Sequence, residues 1–361
     1  MSKTTIKNAL VFDGHSLHKN LAVTIENGMI SNFGSAIDTS NAKIIDGNGM
    51  TLLPGLIDCH VHLDPDIEKA STLLLQLAKA GVTTALDMGH FPGSVRDGLR
   101  NRSGIADLRF AGTYATSTGS IHSRFRDVTE ANLIDEPQAA VHFVEDRIAE
   151  GADYIKIVAD QPGPSQEVVN ALVTEARKRG MLTVAHAARK GALGMAQAGK
   201  VDIVTHVPLD VPLKEAEAKL MKEEGRVCVP TLVMEETMAS RKIFPGLNYS
   251  AAKESVILLH KAGVHILAGT DANQSPMAAV KHGEALHREL ELLVNAGLSN
   301  EEALRAATSS GAQWFRLEDR GVIAVGKRAD LVLVGGNPID NIADTKDVKR
   351  VWIGGEEIIL E

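Results

Sequence analysis

Leu53-Pro54-Gly55-Leu56-Ile57-Asp58-Cys59-His60-Val61-His62-Leu63 is an apolar run that ends in two histidines one residue apart. Pro54 and Gly55 bound the run, which predicts a short buried strand. Side chains at positions i and i+2 of a strand project from the same face. His60 and His62 therefore point together into whatever the strand lines, and such a pair supplies half of a metal site. The alternative is two core or surface histidines that are neighbours by chance.

Composition limits the classes of function that fit this chain. Its 361 residues are enough for one large domain and a smaller one. Lys and Arg total 38 against 46 for Asp and Glu, a formal charge of -8 with no basic run, which argues against nucleic-acid and membrane partners. Two cysteines, no signal-peptide pattern and no apolar run of bilayer length predict a cytoplasmic enzyme. We expect a small-molecule substrate and leave a homo-oligomer open.

The middle of the chain alternates strand-like and helix-like segments. The predicted strands are 57–61, 83–88, 108–116, 154–158, 182–186, 203–206, 227–232 and 264–269. Helix-period stretches separate them, at 70–80, 138–150, 166–179, 214–224 and 251–262. Eight such units predict an α/β fold of the (β/α)8 TIM barrel type over residues 55–321. An open doubly wound sheet is the alternative, but it would need a glycine-rich phosphate loop after an early strand, and the sequence has none.

The two ends of the chain have a different sequence pattern, which predicts short strands separated by turns. Strand-like segments occur at 7–12, 21–26, 29–33 and 42–46, and again at 331–334 and 348–353. We expect residues 1–54 and 322–361 to pair into one small β domain. This arrangement would bring the termini together and leave the middle of the chain uninterrupted.

Polar residues occur where a barrel places its chemistry, at the C-terminal ends of strands. They are His60 and His62 on strand one, Lys156 in strand four, His186 and His206 at the ends of strands five and six, and Asp271 after strand eight. Buried ionisable groups are costly unless they are paired or bound to a metal. Six convergent groups of this kind favour a functional site over simple packing.

At these residues the chain resembles the amidohydrolase superfamily, in particular the binuclear-metal branch similar to imidazolonepropionase and the prolidase-like amidohydrolases. The resemblance covers the run 54–62, the Lys156 strand, His186, His206, Gly269-Thr270-Asp271-Ala272, Leu286-His287-Arg288-Glu289-Leu290 and Gly326-Lys327-Arg328-Ala329-Asp330-Leu331-Val332. It implies a (β/α)8 barrel flanked by a small β-sandwich domain made from both chain termini. The prolidase-like branch often has a tyrosine soon after the strand-seven Pro-Thr pair, whereas here Pro230-Thr231 is followed by Leu232-Val233-Met234.

The resemblance also implies two divalent metal ions, for which imidazole and carboxylate ligands favour zinc, with manganese and cobalt left open. The implied ligands are His60, His62, Lys156, His186, His206 and Asp271. Burial lowers the pKa of a lysine, so the neutral amine of Lys156 would add CO2 and bridge both ions as a carbamate. The alternative is a lysine whose head reaches solvent at the rim. Asp271 would be the catalytic residue, taking a proton from a metal-bridged hydroxide and returning it to the leaving group.

Two further residues are candidates for substrate binding. His122 lies after strand three, where the prolidase-like branch has a glycine-rich segment with a histidine, and it would contact the substrate or its oxyanion. Arg124, with Arg126 close by, would hold a substrate carboxylate. Each has the alternative of being a solvent-exposed loop residue. His90, after strand two, is a weaker candidate for the pocket lining.

These residues predict a metal-dependent hydrolase that cleaves an amide-type C–N bond in a dipeptide or N-acyl amino acid, with lactones and other esters also open. One alternative is a mononuclear deaminase, although such proteins usually lack the strand-four lysine and carry a glutamate soon after the strand-five histidine. Here His186 is followed by Ala187-Ala188-Arg189-Lys190. Another alternative is a non-catalytic amidohydrolase-like assembly protein, which would have lost ligands. The bound metal per chain would separate the three, because two, one and zero ions are expected respectively.

Overall fold

The computed structural model describes residues 3–35, 38–89, 98–125, 128–242 and 244–360. Within these ranges the strands are β1 (Lys3–Lys7), β2 (Leu10–Phe12), β3 (Leu17–His18), β4 (Ala22–Glu26), β5 (Met29–Gly34), β6 (Ala42–Asp46), β7 (Met50–Pro54), β8 (Leu56–Val61), β9 (Val82–Asp87), β10 (Asp107–Phe110), β11 (Tyr154–Val158), β12 (Leu182–His186), β13 (Ile203–Thr205), β14 (Val227–Val229), β15 (His265–Ile266), β16 (Leu331–Gly335), β17 (Val348–Ile353) and β18 (Glu356–Glu357). The α-helices are α1 (Ile67–Lys79), α2 (Ala140–Ala149), α3 (Gln166–Lys178), α4 (Lys190–Ala198), α5 (Glu215–Glu223), α6 (Leu232–Arg241), α7 (Tyr249–Ala262), α8 (Glu284–Asn295), α9 (Asn300–Ala306) and α10 (Ser309–Trp314). None of these helices combines the length and the apolar character that a bilayer-spanning helix needs.

Strands β8 to β15 are parallel to their neighbours and form two sheets. The order β10-β9-β8 makes a three-stranded sheet, and the order β11-β12-β13-β14-β15 makes a five-stranded one. Helices α1 to α7 occupy connections between these strands, as parallel neighbours require a crossover. All eight strands therefore end on the same side of the molecule.

Backbone hydrogen bonds join the two parallel sheets at both edges. On one side the amide of Ala115 donates to the carbonyl of Lys156 at 2.9 Å. On the other side the amide of Cys59 donates to the carbonyl of Ala268, also at 2.9 Å. This mixed α/β arrangement is consistent with the predicted TIM barrel.

Two further sheets are built from the two ends of the chain. One has four strands in the order β5-β4-β1-β6, and the other has six in the order β18-β17-β16-β7-β2-β3. The two sheets share one apolar core, whose buried members include Ile6, Val11, Val23, Ile25, Ile30, Ile45, Leu52, Leu331, Leu333 and Trp352. The N-terminal β7 pairs antiparallel with the C-terminal β16 over five residue pairs, from Leu331 opposite Pro54 to Gly335 opposite Met50. The expected pairing of strands from both ends is therefore observed, while the boundary of a separate domain remains a prediction.

Gly55 alone separates β7 from β8, so the six-stranded sheet continues directly into the first parallel strand. A Cβ atom at this position would lie 2.2 Å from Oγ1 of Thr83, well inside van der Waals contact. The Gly55 amide donates to the carbonyl of Asp330 at 2.8 Å. Only glycine fits between these neighbours. Close packing therefore explains why glycine follows Pro54 at the boundary between β7 and β8.

Several predicted elements need correction. Segment 7–12 is not one strand, because Asn8 takes a positive φ of 64° and splits it into β1 and β2, which belong to different sheets. Segment 108–116 ends early, at Phe110, and Gly112 follows with a φ of 73°. Segment 264–269 contains only the two-residue β15. By contrast, β11 and β12 have the predicted bounds, since each is a continuous apolar run with clear flanking signals.

Candidate active site

A cavity of about 690 Å³ opens at the C-terminal ends of the parallel strands. Five of the six predicted metal ligands line it, namely His62, Lys156, His186, His206 and Asp271. The sixth, His60, is fully buried beside them. The predicted substrate-binding residues His122 and Arg124 also line this cavity. His90 and Arg126 lie outside the described residues.

The first three ligands form a tight group. Nε2 of His60 lies 3.2 Å from Nε2 of His62, and Oδ1 of Asp271 lies 3.4 Å from the first nitrogen and 3.1 Å from the second. His62 turns Nδ1 to the carbonyl of Gly89 at 3.1 Å, which directs Nε2 towards His60 and Asp271. Two imidazole nitrogens and a carboxylate oxygen in this arrangement can hold a metal ion.

Asp58 holds the backbone around the group of His60, His62 and Asp271 in place. Its carboxylate accepts from the Thr270 amide at 3.0 Å, from the Thr270 hydroxyl at 2.7 Å and from the His60 amide at 3.2 Å. These bonds tie β8 to the turn that carries Asp271. Burial raises the pKa of Asp58 to about 7, although the hydrogen bonds oppose the rise.

His186 and His206 lie on the other side of His60. The ring centroids of His186 and His206 are 4.4 Å apart, and those of His60 and His206 are 5.0 Å apart. Burial lowers the pKa of His60 and of His206 far below the ordinary value, and it lowers the pKa of His186 to about 3 with help from the charge of His122. These three imidazoles are therefore neutral at pH 7, which is the form that binds metals.

Lys156 is 3% exposed, and its Nζ donates to Oγ1 of Thr205 at 3.0 Å. Burial lowers the pKa of this amine to about 7, against the opposing charges of Asp271 and Asp87. The head group therefore lies inside the site, and it does not reach solvent at the rim. About half of such amines are unprotonated near neutral pH, and only that form can react with CO2.

His206 reaches the cavity through an irregular backbone. Thr205 points inward to Lys156, so a regular strand would turn the next residue outward. His206 instead has a φ of 70°, which brings its ring back beside His186. Nδ1 of His206 lies 2.7 Å from the Thr231 hydroxyl and 3.5 Å from Oε1 of Glu235, which leaves Nε2 for a metal.

Three residues of the site have left-handed backbones, although none is glycine. His206, Thr231 and Asp271 have φ values of 70°, 51° and 55°. Each such residue costs on the order of 1–3 kcal/mol, and such outliers concentrate at functional sites. Backbone geometry therefore marks the same place as the side-chain chemistry does.

Asp160 was not among the predicted site residues, although it lies two positions after β11. Its Oδ2 is 2.8 Å from Nδ1 of His122, and its Oδ1 is 3.7 Å from Nε2 of His186. Burial would raise its pKa, but the charges of His186 and His122 and a hydrogen bond from His122 outweigh burial and lower the pKa to about 2. Asp160, His122 and His186 form a second group of possible ligand atoms, so the structure brings His122 into the site.

Glu235 is the second residue that the sequence did not reveal. It lies in the first turn of α6, 2% exposed, behind His206 and on the cavity wall. In the sequence it is one of two adjacent glutamates in a helix, where acidic residues are ordinary. For Asp160, the sequence offered one indication, because a polar residue follows the end of β11. However, the run Asp160-Gln161-Pro162-Gly163 is also typical of a turn, so this indication was ambiguous.

The chain is similar to one described protein family and to several known proteins. The model described as "Amidohydrolase family" matches residues 51–358. Imidazolonepropionase from Idiomarina loihiensis is 26% identical, covering 95% of this chain and 93% of that protein. Enamidase from Eubacterium barkeri is 24% identical, covering 100% of this chain and 96% of that protein. A crystal structure of a Xaa-Pro dipeptidase with methionine bound in its active site superposes with a TM-score of 0.84 at 27% identity, covering 98% of this chain and 99% of that one.

These matches extend over nearly the whole chain, in both sequence and structure. The family match alone includes most of the 361 residues and all six predicted metal ligands. The relatives support a hydrolase that acts on C–N bonds. The chain belongs to the amidohydrolase family, in the branch of the prolidase-like proteins and imidazolonepropionase.

Proposed function

We propose that this protein is a binuclear metal-dependent hydrolase that cleaves an amide-type C–N bond in a dipeptide or N-acyl amino acid, with lactones and other esters as further possible substrates. One observation carries the proposal. His60, His62 and Asp271 present two nitrogens and an oxygen within 3.1 to 3.4 Å of one another beside a large cavity. Buried groups of this type at such distances are stable only if they are paired or bound to a metal.

The donor atoms fit two divalent ions. His60, His62 and Asp271 would hold the first, and His186 and His206 would hold the second. Three of these imidazoles are neutral because they are buried, and the set of nitrogen and oxygen donors suits zinc. Lys156, whose charge acts on His60 as well as on His186 and His206, would serve as a ligand to both ions after its amine forms a carbamate with CO2. Its burial and its low pKa support that role.

The residues of the chain would divide the reaction between them. Bound ions would polarise the scissile carbonyl and acidify the attacking water. Asp271 would accept a proton from that water at its carboxylate and pass it to the leaving nitrogen. His122, held through Nδ1 by Asp160, would turn Nε2 towards the carbonyl oxygen of the substrate. Arg124 would pair with a carboxylate of the substrate at the cavity mouth.

We also propose the architecture that goes with this function. The eight parallel strands would close as a (β/α)8 TIM barrel over residues 55–321, supported by the hydrogen bonds that join both sheet edges. Residues 1–54 and 322–361 would form the β-sandwich domain, supported by the apolar core that its two sheets share. A cytoplasmic location, and a small-molecule substrate without nucleic-acid or membrane partners, complete the proposal; homo-oligomers are compatible with it.

Metal analysis and a substrate screen test the proposal together. The protein is reconstituted with zinc, manganese or cobalt in bicarbonate buffer, and the bound metal is measured by mass spectrometry. Dipeptides, N-acyl amino acids, carbamates and lactones are then screened for hydrolysis. We expect close to two ions per chain and release of an amine. One ion per chain together with ammonia release would favour the deaminase, and no bound ion would favour the assembly protein.

A further inference from the structure

The wall of the active-site cavity contains both apolar and positively charged side chains. Apolar side chains that include Leu209, Met234, Met238 and Leu247 form one part of it. Arg124 and Arg189 belong to another part. Arg124 follows β10 and Arg189 follows β12, whereas Met234 and Met238 lie on α6, which follows β14. A molecule that fills the cavity would therefore meet both apolar side chains and positive charge.

Helix α6 presents the apolar wall. Met234 and Met238 are four residues apart, so they lie on one face of the helix. Glu289 fixes the start of this helix by accepting from the amides of Leu232 at 3.0 Å and Val233 at 2.8 Å. Met277, 40% exposed, adds a further apolar side chain on the cavity lining. Methionine side chains are flexible and polarisable, and they adapt to apolar chains of different shape.

Arg124 and Arg189 supply positive charge to the cavity lining. Arg189 is the residue that precedes α4, three positions after His186. Both side chains are exposed, and within the described part of the chain neither guanidinium has a hydrogen bond or ion pair that would occupy it. The charge of Arg189 acts on the carboxylate of Asp160, but neither guanidinium is held in a close ion pair by a described residue. Both are therefore suited to a substrate carboxylate, which such groups bind through paired hydrogen bonds.

We propose that the substrate is an N-acyl amino acid with an extended apolar acyl chain, which lies against Met234 and Met238 while the carboxylate of the amino acid pairs with Arg124 and Arg189. This inference rests on the proposed amide hydrolysis and names the substrate class. Water adds to the acyl carbon, the C–N bond breaks, and a proton passes to the leaving nitrogen. The products are a fatty carboxylate and a free amino acid.

Ligand binding to a catalytically inactive variant tests this inference independently of the proposed hydrolysis. Zinc-loaded Asp271→Asn protein is titrated calorimetrically with N-acetyl-L-alanine, N-octanoyl-L-alanine and N-octanoyl-L-alaninamide. Each fully buried methylene contributes up to about fourfold in affinity, so even partial burial of the longer chain should give at least about tenfold tighter binding than the acetyl compound. The alaninamide lacks the carboxylate and should bind at least about tenfold more weakly than the octanoyl acid.

Two further substitutions in the Asp271→Asn protein, each with a matched control, test which residues cause the chain-length effect and the carboxylate effect. Met238→Gln should remove most of the chain-length effect while acetyl binding is retained, and the exposed Met29→Gln should not. Arg189→Gln should remove most of the carboxylate effect, and Arg241→Gln, on α6 outside the cavity lining, should not.

Equal affinity for the two acyl lengths, or for the acid and its amide, would overturn the inference. So would a uniform loss of affinity for all three compounds in Met238→Gln. Hydrolysis by the wild-type enzyme is measured separately. Selective binding of N-octanoyl-L-alanine without cleavage would contradict the proposed amide hydrolysis and leave the binding inference standing.

Discussion

Lys156→Met should stabilise the metal-free protein while it abolishes assembly of the metal centre. The Lys156 amine is buried, and its pKa falls from the ordinary 10.5 to about 7. One pKa unit corresponds to about 1.4 kcal/mol, so the buried amine costs the folded state about 4 kcal/mol at pH 7. Methionine fills similar space without a charge, although Thr205 then loses one hydrogen bond worth about 1 kcal/mol. We expect a net gain of about 2–3 kcal/mol in the free energy of unfolding at pH 7.

The pH dependence of this gain is the sharper test. Between pH 7 and pH 10.5 the unfolded lysine binds more protons than the folded one, so the stability of the wild-type protein rises with pH in that window. The methionine variant lacks this rise. Its advantage should therefore shrink by about 2 kcal/mol between pH 7 and pH 9.

Urea unfolding in CO2-free buffer with a chelator, at pH 7 and pH 9, measures both quantities. Lys261→Met, which changes an exposed lysine of α7, is the matched control and should show neither the gain nor the pH dependence. An advantage of equal size at both pH values would refute the reasoning, because the amine would then not be desolvated. A variant less stable than the wild type at both values would refute it as well.

Four further outcomes are expected. Asp271→Asn should lower kcat by at least about 10³-fold while close to two zinc ions per chain remain in mass-spectrometric analysis; substantial residual turnover would contradict the proton-transfer role. Asp160→Asn should lower kcat by about 10²-fold because His122 loses its orienting partner, and the double change with His122→Asn should be no worse than either alone, whereas additive losses in steady-state kinetics would separate the two residues. Glu289→Ala should destabilise the protein by about 2–3 kcal/mol in urea unfolding, since two buried amides lose their acceptor, and an unchanged midpoint would mean that water replaces the carboxylate. Chelation should abolish hydrolysis, and zinc with bicarbonate should restore it much faster at pH 8 than at pH 6, because the pKa of Lys156 near 7 leaves the amine mostly neutral only at the higher pH; recovery that does not depend on bicarbonate would argue against a carbamate.

Site residues could be predicted from the sequence where they lie in regular secondary structure. His60 and His62 could be predicted to act together because strand alternation is regular, and their Nε2 atoms are 3.2 Å apart. Lys156 was identifiable because an amine within an apolar strand is unusual. Backbone reversals could not be anticipated, since nothing in the sequence indicates that His206 takes a positive φ and turns inward.

Long-range partners were the other information that the sequence did not contain. Asp160 meets His122 across 38 positions, and Glu235 meets His206 across 29. Each acidic residue has an ordinary local reason to be where it is, the first in a turn and the second in a helix. Their roles depend on tertiary proximity, which a single sequence does not show.

The junction at Gly55 restricts how the molecule can open. With one residue between β7 and β8, and β7 held along its length by β16, there is no slack for the terminal sheets to swing as a hinged lid. Entry of substrate and exit of product must then depend on local rearrangement at the mouth, where side chains such as Met277 are exposed. Such an enzyme would exchange ligands through small gating movements, and its overall dimensions in solution scattering should stay the same with and without a bound ligand.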